Sequence, residues 1–288
     1  MKRIMAILVA CAAIGGLVYG FTKIGENQFQ AEESFNSAEI EEIEINNESW
    51  DVELKQAEST QLTITAEGTQ KNKQRDPVTI EKQGNKMTIQ QSDETGGSRG
   101  FSFGKNGTIS VSIPDNKINT ITVSNNNGDI EMKNIATTNL IVTNSSGSER
   151  IAGIAVEKGQ FTSIDGELTV DNSSLQELVV ASKAGDSDLT NVTSSKMNIT
   201  STDGEVSVKE ATEGESLFVE TKSGDITLSY KEAPASLQLT AQSESADMTV
   251  GLANMKETKS TEKLKEGTIG EASHTVELFS THGTINIK

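Results

Sequence analysis

A turn built around one glycine recurs along the second half of this chain, and it constrains the fold more than any other feature. The turns are Asn127-Gly128-Asp129, Ser146-Gly147-Ser148, Asp165-Gly166-Glu167, Ala184-Gly185-Asp186, Asp203-Gly204-Glu205 and Ser223-Gly224-Asp225. Successive glycines lie 19, 19, 19, 19 and 20 residues apart. Ser245-Ala246-Asp247 continues the series 22 residues after Gly224, and His282-Gly283-Thr284 closes it after a longer insertion. Four residues after the glycine position stand Met132, Ile151, Val170, Leu189, Val208, Leu228, Val250 and Ile287, all apolar. Two residues after it the column is also apolar, except at Glu149 and Ser187. Five before it stand Val123, Val142, Phe161, Val180, Ile199, Val219, Ala241 and Leu278. Seven before it Gly159 is the one interruption of an apolar column. Period two on both sides of the turn makes both sides strands.

Nineteen residues are too few for a propeller blade, which takes about 40–45. They suit one coil of an all-β solenoid, with each column stacked at the ~4.8 Å spacing of paired strands. Residues 121–288 therefore read as solenoid repeats. Ser174 to Lys183 has local helical propensity, but Leu178 and Val180 fall in strand columns and the repeat takes precedence. Charge at Leu189 or Val208 is expected to unfold neighbouring coils, and charge at Ser187, where the column is broken, to be milder. The glycine serves either a positive φ or the close approach of neighbouring coils. Three residues before it stand Asn125, Asn144, Ser163, Ser182, Ser201, Thr221, Ser243 and Ser280. That column reads as a ladder satisfying backbone groups of the turns, in preference to a polar binding stripe.

Residues 36–120 are β-rich but less regular, and are expected to begin the stack and cap it. Strands are expected at Ala38 to Ile45, Trp50 to Leu54, Gln61 to Ala66, Val78 to Ile80, Met87 to Ile89 and Thr108 to Ile113. Gln83-Gly84-Asn85 joins two of them as a hairpin. Residues 92–106 read as a loop, in which Phe101 and Phe103 form a lid. Residues 22–35 read as a polar stalk.

The start is Met1-Lys2-Arg3, followed by 18 residues, Ile4 to Phe21, whose only polar side chain is Tyr19. That length suits a membrane-spanning helix. Lys2 and Arg3 would hold residues 1–3 in the cytoplasm and send the rest outside. A retained signal-anchor helix over 4–21 is the favoured reading. A signal peptide cleaved near Val18-Tyr19-Gly20 and a lipoprotein modified at Cys11 are the alternatives. Cys11 is the only cysteine, so there is no disulfide framework and no Cys/His zinc site.

The formal net charge is −17, from 42 acidic and 25 basic residues. That sign excludes a basic nucleic-acid binder. The repeats hold a single arginine, Arg150, and the chain's only histidines, His274 and His282, lie near the C-terminus. No column gathers a base, a nucleophile and carboxylates, so no catalytic residue and no cofactor is assigned. The one candidate site is the acidic column directly after the turn glycines: Asp129, Glu167, Asp186, Glu205, Asp225 and Asp247. Stacked carboxylates repel, and a divalent cation outside the cell would relieve that repulsion. The alternative is a solvated acidic edge neutralised by Lys133, Lys183, Lys209 and Lys222. The Asn-X-Ser/Thr triplets follow from a Ser/Thr/Asn-rich composition and carry no functional reading.

Several segments resemble one family. They are Ser49-Trp50-Asp51-Val52-Glu53, Val111-Ser112-Ile113-Pro114, Ile121-Thr122-Val123-Ser124, Asn127-Gly128-Asp129-Ile130 and Ser223-Gly224-Asp225-Ile226. Ile269-Gly270, Val276-Glu277-Leu278 and Thr281-His282-Gly283-Thr284-Ile285 follow. Over residues 36–288 their order is similar to the DUF4097 family of adhesin-like proteins, which includes LiaG-like membrane-anchored proteins of Gram-positive bacteria. The resemblance implies a right-handed, single-stranded β-helix outside the cytoplasmic membrane, associated with envelope stress. It implies no catalytic residues. Gly147 is followed by Ser148-Glu149 instead of the family's Asp-Ile, so a bulge is expected there. Two readings of function result. One is a non-catalytic cell-envelope protein, held at the membrane by its N-terminal helix and binding an envelope protein or a cell-wall component. The other is a carbohydrate-active β-helix enzyme.

Overall fold

The fold is taken from a computed structural model that describes residues 16–18, 28–70, 75–92, 107–114, 118–245 and 247–288. Strands before and after each turn form two walls, each a ladder of parallel strands at the centre. The pre-turn wall runs through Glu42–Asn47, Thr120–Asn125, Ala136–Asn144 and Ala155–Ser163 into the second halves of Leu168–Ser182 and Ser187–Ser201, then Ser216–Thr221. The post-turn wall runs through Asp51–Ala57, Ile130–Lys133, Glu149–Ala152, the first halves of the same two long strands, Val206–Ala211 and Ile226–Tyr230. Partners Ile130, Glu149, Leu168, Ser187 and Val206 keep the 19-residue offset of the sequence. The segment with helical propensity lies in the 15-residue strand Leu168–Ser182, because both flanking coils hold it in register.

The inward columns are buried as the periodicity requires. Val123, Val142, Ile199, Val219, Ala241 and Leu278 are fully buried, as are Met132, Val170 and Leu189. Gly159 interrupts its column because its neighbours fill the space. A side-chain carbon there would lie 2.5 Å from Leu175 Cδ2 and 3.2 Å from the ring of Phe161, the largest fully buried side chain. Two features of the +2 column correct the sequence reading. Glu149 and Ser187 do not leave it; they point inward at 0% and 1% exposure. Ser187 is therefore no milder a place for charge than Leu189. The rung at Gly147 is not bulged: Glu149 pairs in register with Ile130 and Leu168, and Gly147 shares the positive φ of Gly128.

A third wall closes the coil. Six residues past the turn glycine stand Asn134, Gly153, Asn172, Asn191 and Glu210, all with φ between 49° and 68°. This left-handed corner lets Ile135, Ile154 and Val192 turn back into the core. Asparagine and glycine suit such a corner, whereas glutamate is strained there by roughly 1–2 kcal/mol.

The turns are packed at the limit. A side-chain carbon on Gly147, Gly166, Gly185, Gly204, Gly224 or Gly283 would lie 2.0–2.2 Å from the carbonyl oxygen of the glycine one coil below. Only Gly128 and Gly147 among these turn glycines have positive φ, so close approach is what the glycine serves.

Both ends depart from the order of the sequence. Residues 42–57 are a regular coil with Trp50 in the glycine place, since Gly128 stacks on the Trp50 carbonyl. That coil lies between the later coil of Lys86–Gln91 and Gly107–Pro114 and the coil beginning at Thr120. Val78–Gln83 pairs with Lys86–Gln91 as the expected hairpin, and Gly84 has φ 65°. Gln28–Asn36 pairs antiparallel with Gln61–Thr69 and so covers the first coils. Residues 28–35, expected in a polar stalk, therefore belong to the cap, where Phe29 and Ala31 are buried.

At the other end, Gly283 stacks on Gly224 and the coil of residues 237–250 lies outside it. The expected order of these two coils is reversed. The coil bearing the required glycine takes the inner place, and the coil with alanine at 246 is terminal. The hairpin of Lys256–Ser260 and Leu264–Ile269 covers the pre-turn strand of that terminal coil.

Of the apolar span 4–21, only Gly16–Val18 is described. It is a short strand, antiparallel to Gln28–Asn36. The helix expected over 4–21 is not seen at those three residues, where the strand uses unpaired backbone groups on the outer edge of Gln28–Asn36; the rest of the span lies outside the described residues. Among the described residues no helix is long and apolar enough to cross a membrane. Cys11 and the Phe101–Phe103 loop lie outside the described residues.

Gly185→Ala is expected to lower stability by well over ~3 kcal/mol, because the clash is with backbone that cannot move aside. Gly84→Ala, with nothing within 4 Å of the added carbon, should lose only the ~1–2 kcal/mol of a left-handed conformation. Glu210→Gly should gain ~1 kcal/mol by relieving the corner. Denaturant midpoints of the three variants check all of these.

Candidate functional site

The turn edge holds both candidate columns named from the sequence, and most of their polar groups have a structural partner. The column three residues before the glycine faces inward; from Asn125 to Thr221 it bonds the carbonyl of its own turn, and Ser243 and Ser280 bond Gly283 O and Gly224 O of the neighbouring coil. Asn125 Nδ2 donates to Gly128 O at 2.7 Å, and Asn144 Nδ2 to Gly147 O at 2.8 Å. Ser163, Ser182, Ser201 and Thr221 hydroxyls donate to Gly166, Gly185, Gly204 and Gly224 at 2.6–2.9 Å. Asn125 Nδ2 also reaches Asn144 Oδ1 at 2.8 Å, linking adjacent coils. These groups leave no polar stripe for a ligand, because they are buried and engaged.

The acidic column is stacked but not uniform. Asp129 Oδ1 accepts from the backbone N–H of Ser148 at 3.0 Å, and Asp186 Oδ1 from that of Glu205 at 2.9 Å. Asp225 Oδ1 accepts from Thr284 N–H at 2.7 Å. The same contact begins one coil earlier, where Asp51 Oδ1 accepts from Asp129 N–H at 3.0 Å. An aspartate thus caps the turn of the next coil. Glu167, Glu205 and Asp247 are exposed on the same edge without that contact. Thr284 stands between Asp225 and Asp247, since the inserted last coil separates them. Of the expected neutralising lysines, Lys133 pairs with Glu131 and Lys209 with Asp188 at 3.2 Å, both beside the column rather than within it. Among the described residues no group of three or more His, Cys, Asp or Glu is placed to hold a metal ion.

Asp51 was legible as part of this column. Ile43, Ile45, Asn47, Trp50, Val52 and Leu54 match the repeat at every inward position, with tryptophan hiding the glycine place. A search keyed on glycine misses it.

The two histidines have separate surroundings. His282 is exposed at the turn, with Nδ1 3.3 Å from Lys222 O. His274 is buried, with Nδ1 3.0 Å from Gly214 O and Nε2 3.3 Å from the Tyr230 hydroxyl. Burial lowers the His274 pKa against smaller opposing pulls from the Gly214 carbonyl and Glu213. Burial, with a smaller push from Glu213, raises that of Tyr230. Beside them Val192, Ser194 and Met197 help line a cavity of about 10 Å³. That is the lower limit for one water molecule and far below a sugar or cofactor.

Glu149 is the residue whose chemistry was missed. Both carboxylate oxygens are buried and neither makes a hydrogen bond of good geometry, although Asn144 and Ser163 lie nearby. Burial pushes its pKa up to about 7, against smaller lowering influences from Asn144 and Ser163. The protonated form suits this site, between Ile130 and Leu168.

The folded state holds a proton that the unfolded chain releases near pH 4.5. Unfolding free energy should therefore fall as pH rises from about 4.5 to about 7, by roughly 3 kcal/mol in all, and stay lower above that. Glu149→Leu should remove this slope and be more stable than the parent at about pH 8 by a similar amount. Denaturant titrations across that range check the sign. A parent whose stability rises with pH through this window in a Glu149-dependent way would contradict the assignment.

Comparison with known proteins gives a family and several similar structures. The family model described as Toastrack DUF4097 matches residues 40–288. No curated protein matches the chain. Solved structures similar to it include a "putative adhesin" from Bacteroides fragilis, 14% identical, covering 90% of this chain and 97% of that one at a TM-score of 0.47. Another is a "putative adhesin" from Parabacteroides merdae, 12% identical, with coverages of 90% and 96% and a TM-score of 0.42. A third is a "putative lipid binding protein" from Parabacteroides distasonis, 14% identical, with coverages of 90% and 96% and a TM-score of 0.34.

Proposed function

The chain belongs to the Toastrack DUF4097 family, and from that premise we propose a non-catalytic cell-envelope protein that acts by binding through its surface. The observation that carries this reading is the structural use already made of most candidate polar groups at the turns. The serines, threonines and asparagines of the turns bind carbonyls, Asp129, Asp186 and Asp225 bind backbone N–H groups, and His274 binds Gly214 and Tyr230. The cavity beside His274 and Tyr230 is too small for a substrate, and among the described residues no group of three or more His, Cys, Asp or Glu is placed to hold a metal ion.

The apolar segment 4–21 anchors the protein as a single-pass span in the cytoplasmic membrane, with Lys2 and Arg3 inside and the solenoid outside. Spanning requires residues 16–18 to leave the edge of Gln28–Asn36. The charge of −17 disfavours direct contact with anionic lipid or anionic wall polymer. A protein of the envelope is therefore the favoured partner, with a cell-wall component second, and the family resemblance supports an association with envelope stress.

Protease added to intact protoplasts should remove the solenoid; full protection would overturn the topology. Crosslinking in living cells should attach the chain to one or a few envelope proteins. Recovery of none, together with polysaccharide turnover by the purified protein, would replace this reading with the enzyme.

A further inference from the structure

The coil of residues 274–288 sits between two coils made from earlier residues. His274–Ser280 pairs in parallel with Ser216–Thr221 on one side and Leu237–Ser243 on the other. Ile285–Ile287 pairs in parallel with Ile226–Tyr230 and Met248–Val250. Backbone bonds reach both walls. Thr275 N–H donates to Glu215 O at 3.0 Å and His282 N–H to Lys222 O at 2.9 Å. Toward the outer coil Gly251 N–H donates to Ile287 O at 2.8 Å and Glu244 N–H to Ser280 O at 3.1 Å. Val276, Leu278, Ile285 and Ile287 are fully buried or nearly so. Met248–Val250 has no other described strand beside it, so the inserted coil is its only ladder partner.

The connection into this slot is short and strained. Leu237 has Ile269 as its partner on one side and His274 on the other. Residues 270–273 must therefore cross the end of that strand, moving the chain across two inter-strand spacings, about 10 Å. Gly270 makes the crossing at φ 55°, and a side-chain carbon there would lie 2.2 Å from Ala235 O. Ala272 is held at φ 56°, in the left-handed region that alanine avoids. Ser273 N–H is tied to Ser236 Oγ at 2.9 Å. A short hinge under strain, joining a body to a segment that fills a slot by parallel strand pairing, is the arrangement that favours exchange of the segment between copies.

We propose that residues 274–288 are an exchangeable coil, and that the slot between residues 216–230 and 237–250 accepts the same segment from a second copy of this chain. Exchange preserves every strand contact of the slot and lets the hinge extend, which releases Ala272. The slot lies at the end of the stack opposite the N-terminal strands, so the product is two solenoids joined end to end. The partner is identified by chemistry. It must supply an extended strand with apolar residues at alternate inward positions and a glycine able to stack on Gly224, and residues 274–288 meet both conditions.

The test uses a contact inside the slot. Thr221 Oγ1 and Ser280 Oγ are 3.2 Å apart and both residues are buried. A disulfide joining cysteines at these two positions forms only when the strand is seated. The full chain, with Cys11→Ala, is made in two tagged forms, one with Thr221→Cys and one with Ser280→Cys. The forms are unfolded and refolded together, then oxidised. A covalent dimer carrying both tags is expected. Deleting Glu271 should raise its share several-fold, and Ala272→Gly should lower it.

A single chain carrying both substitutions is the folding control and should close its own disulfide. If it does so while the mixed forms give no dimer, exchange is overturned. A dimer whose share ignores the hinge changes would also overturn it. Failure of the control to close would show that the strand is not seated beside Ser216–Thr221, which removes the slot itself.

Discussion

The close stacking of one turn on the next governs the rest of this molecule. With a carbonyl oxygen 2.0–2.2 Å from where the next side chain would begin, the turn glycines admit no other residue without moving the coil. The coils are thereby locked at the spacing of β-pairing, and both walls inherit the same register. Burial at the inward positions then follows, because a side chain two or four residues past the glycine has no choice of direction. The polar groups beside the turn are consequences of the same packing. A carbonyl pressed against its neighbour needs a donor close by, and serine, threonine or asparagine supplies one from inside the coil.

The same constraint accounts for the aspartates of the acidic edge. An aspartate directly after the glycine reaches the N–H one coil further along, and the contact recurs from Asp51 to Asp225. Glu167 and Glu205, one methylene longer, lack it and extend into solvent. Mixed use of the two acids along one column is thus a difference in geometry, and both leave the surface negatively charged.

How much of this was legible in the sequence depended on what each feature is encoded by. The inward columns are encoded by spacing, so Met132, Val170, Leu189 and their equivalents were readable from apolar period alone. Glu149 and Ser187 were misread as breaks because polarity was taken to report direction. Their direction is set by the flanking coils, which do not yield to one unfavourable residue. Trp50 concealed a regular coil for the converse reason, since the columns around it are intact and only the marker residue differs. The left-handed corner was visible as Asn134, Gly153, Asn172 and Asn191 at a fixed distance from the turn, although Glu210 shows that the corner is imposed and not chosen. The order of the last two coils was not legible. Spacing tells which residues share a coil but not which coil lies beside which, and only the glycine at 283 hinted at the inner place.

That inverted order has a consequence for how such a chain is made. Most of the stack can assemble as it leaves the ribosome or a secretion channel, each coil docking on the one before. The coil of residues 237–250 cannot, because the rung it rests on has not yet emerged. Completion waits for Lys288, whose own N–H and carbonyl bond Leu228 and Tyr230. A product cut short by even a few residues leaves a gap flanked by unpaired strand edges instead of a slightly shorter solenoid. A copy broken off before residues 274–288 therefore exposes strand edges that invite aggregation.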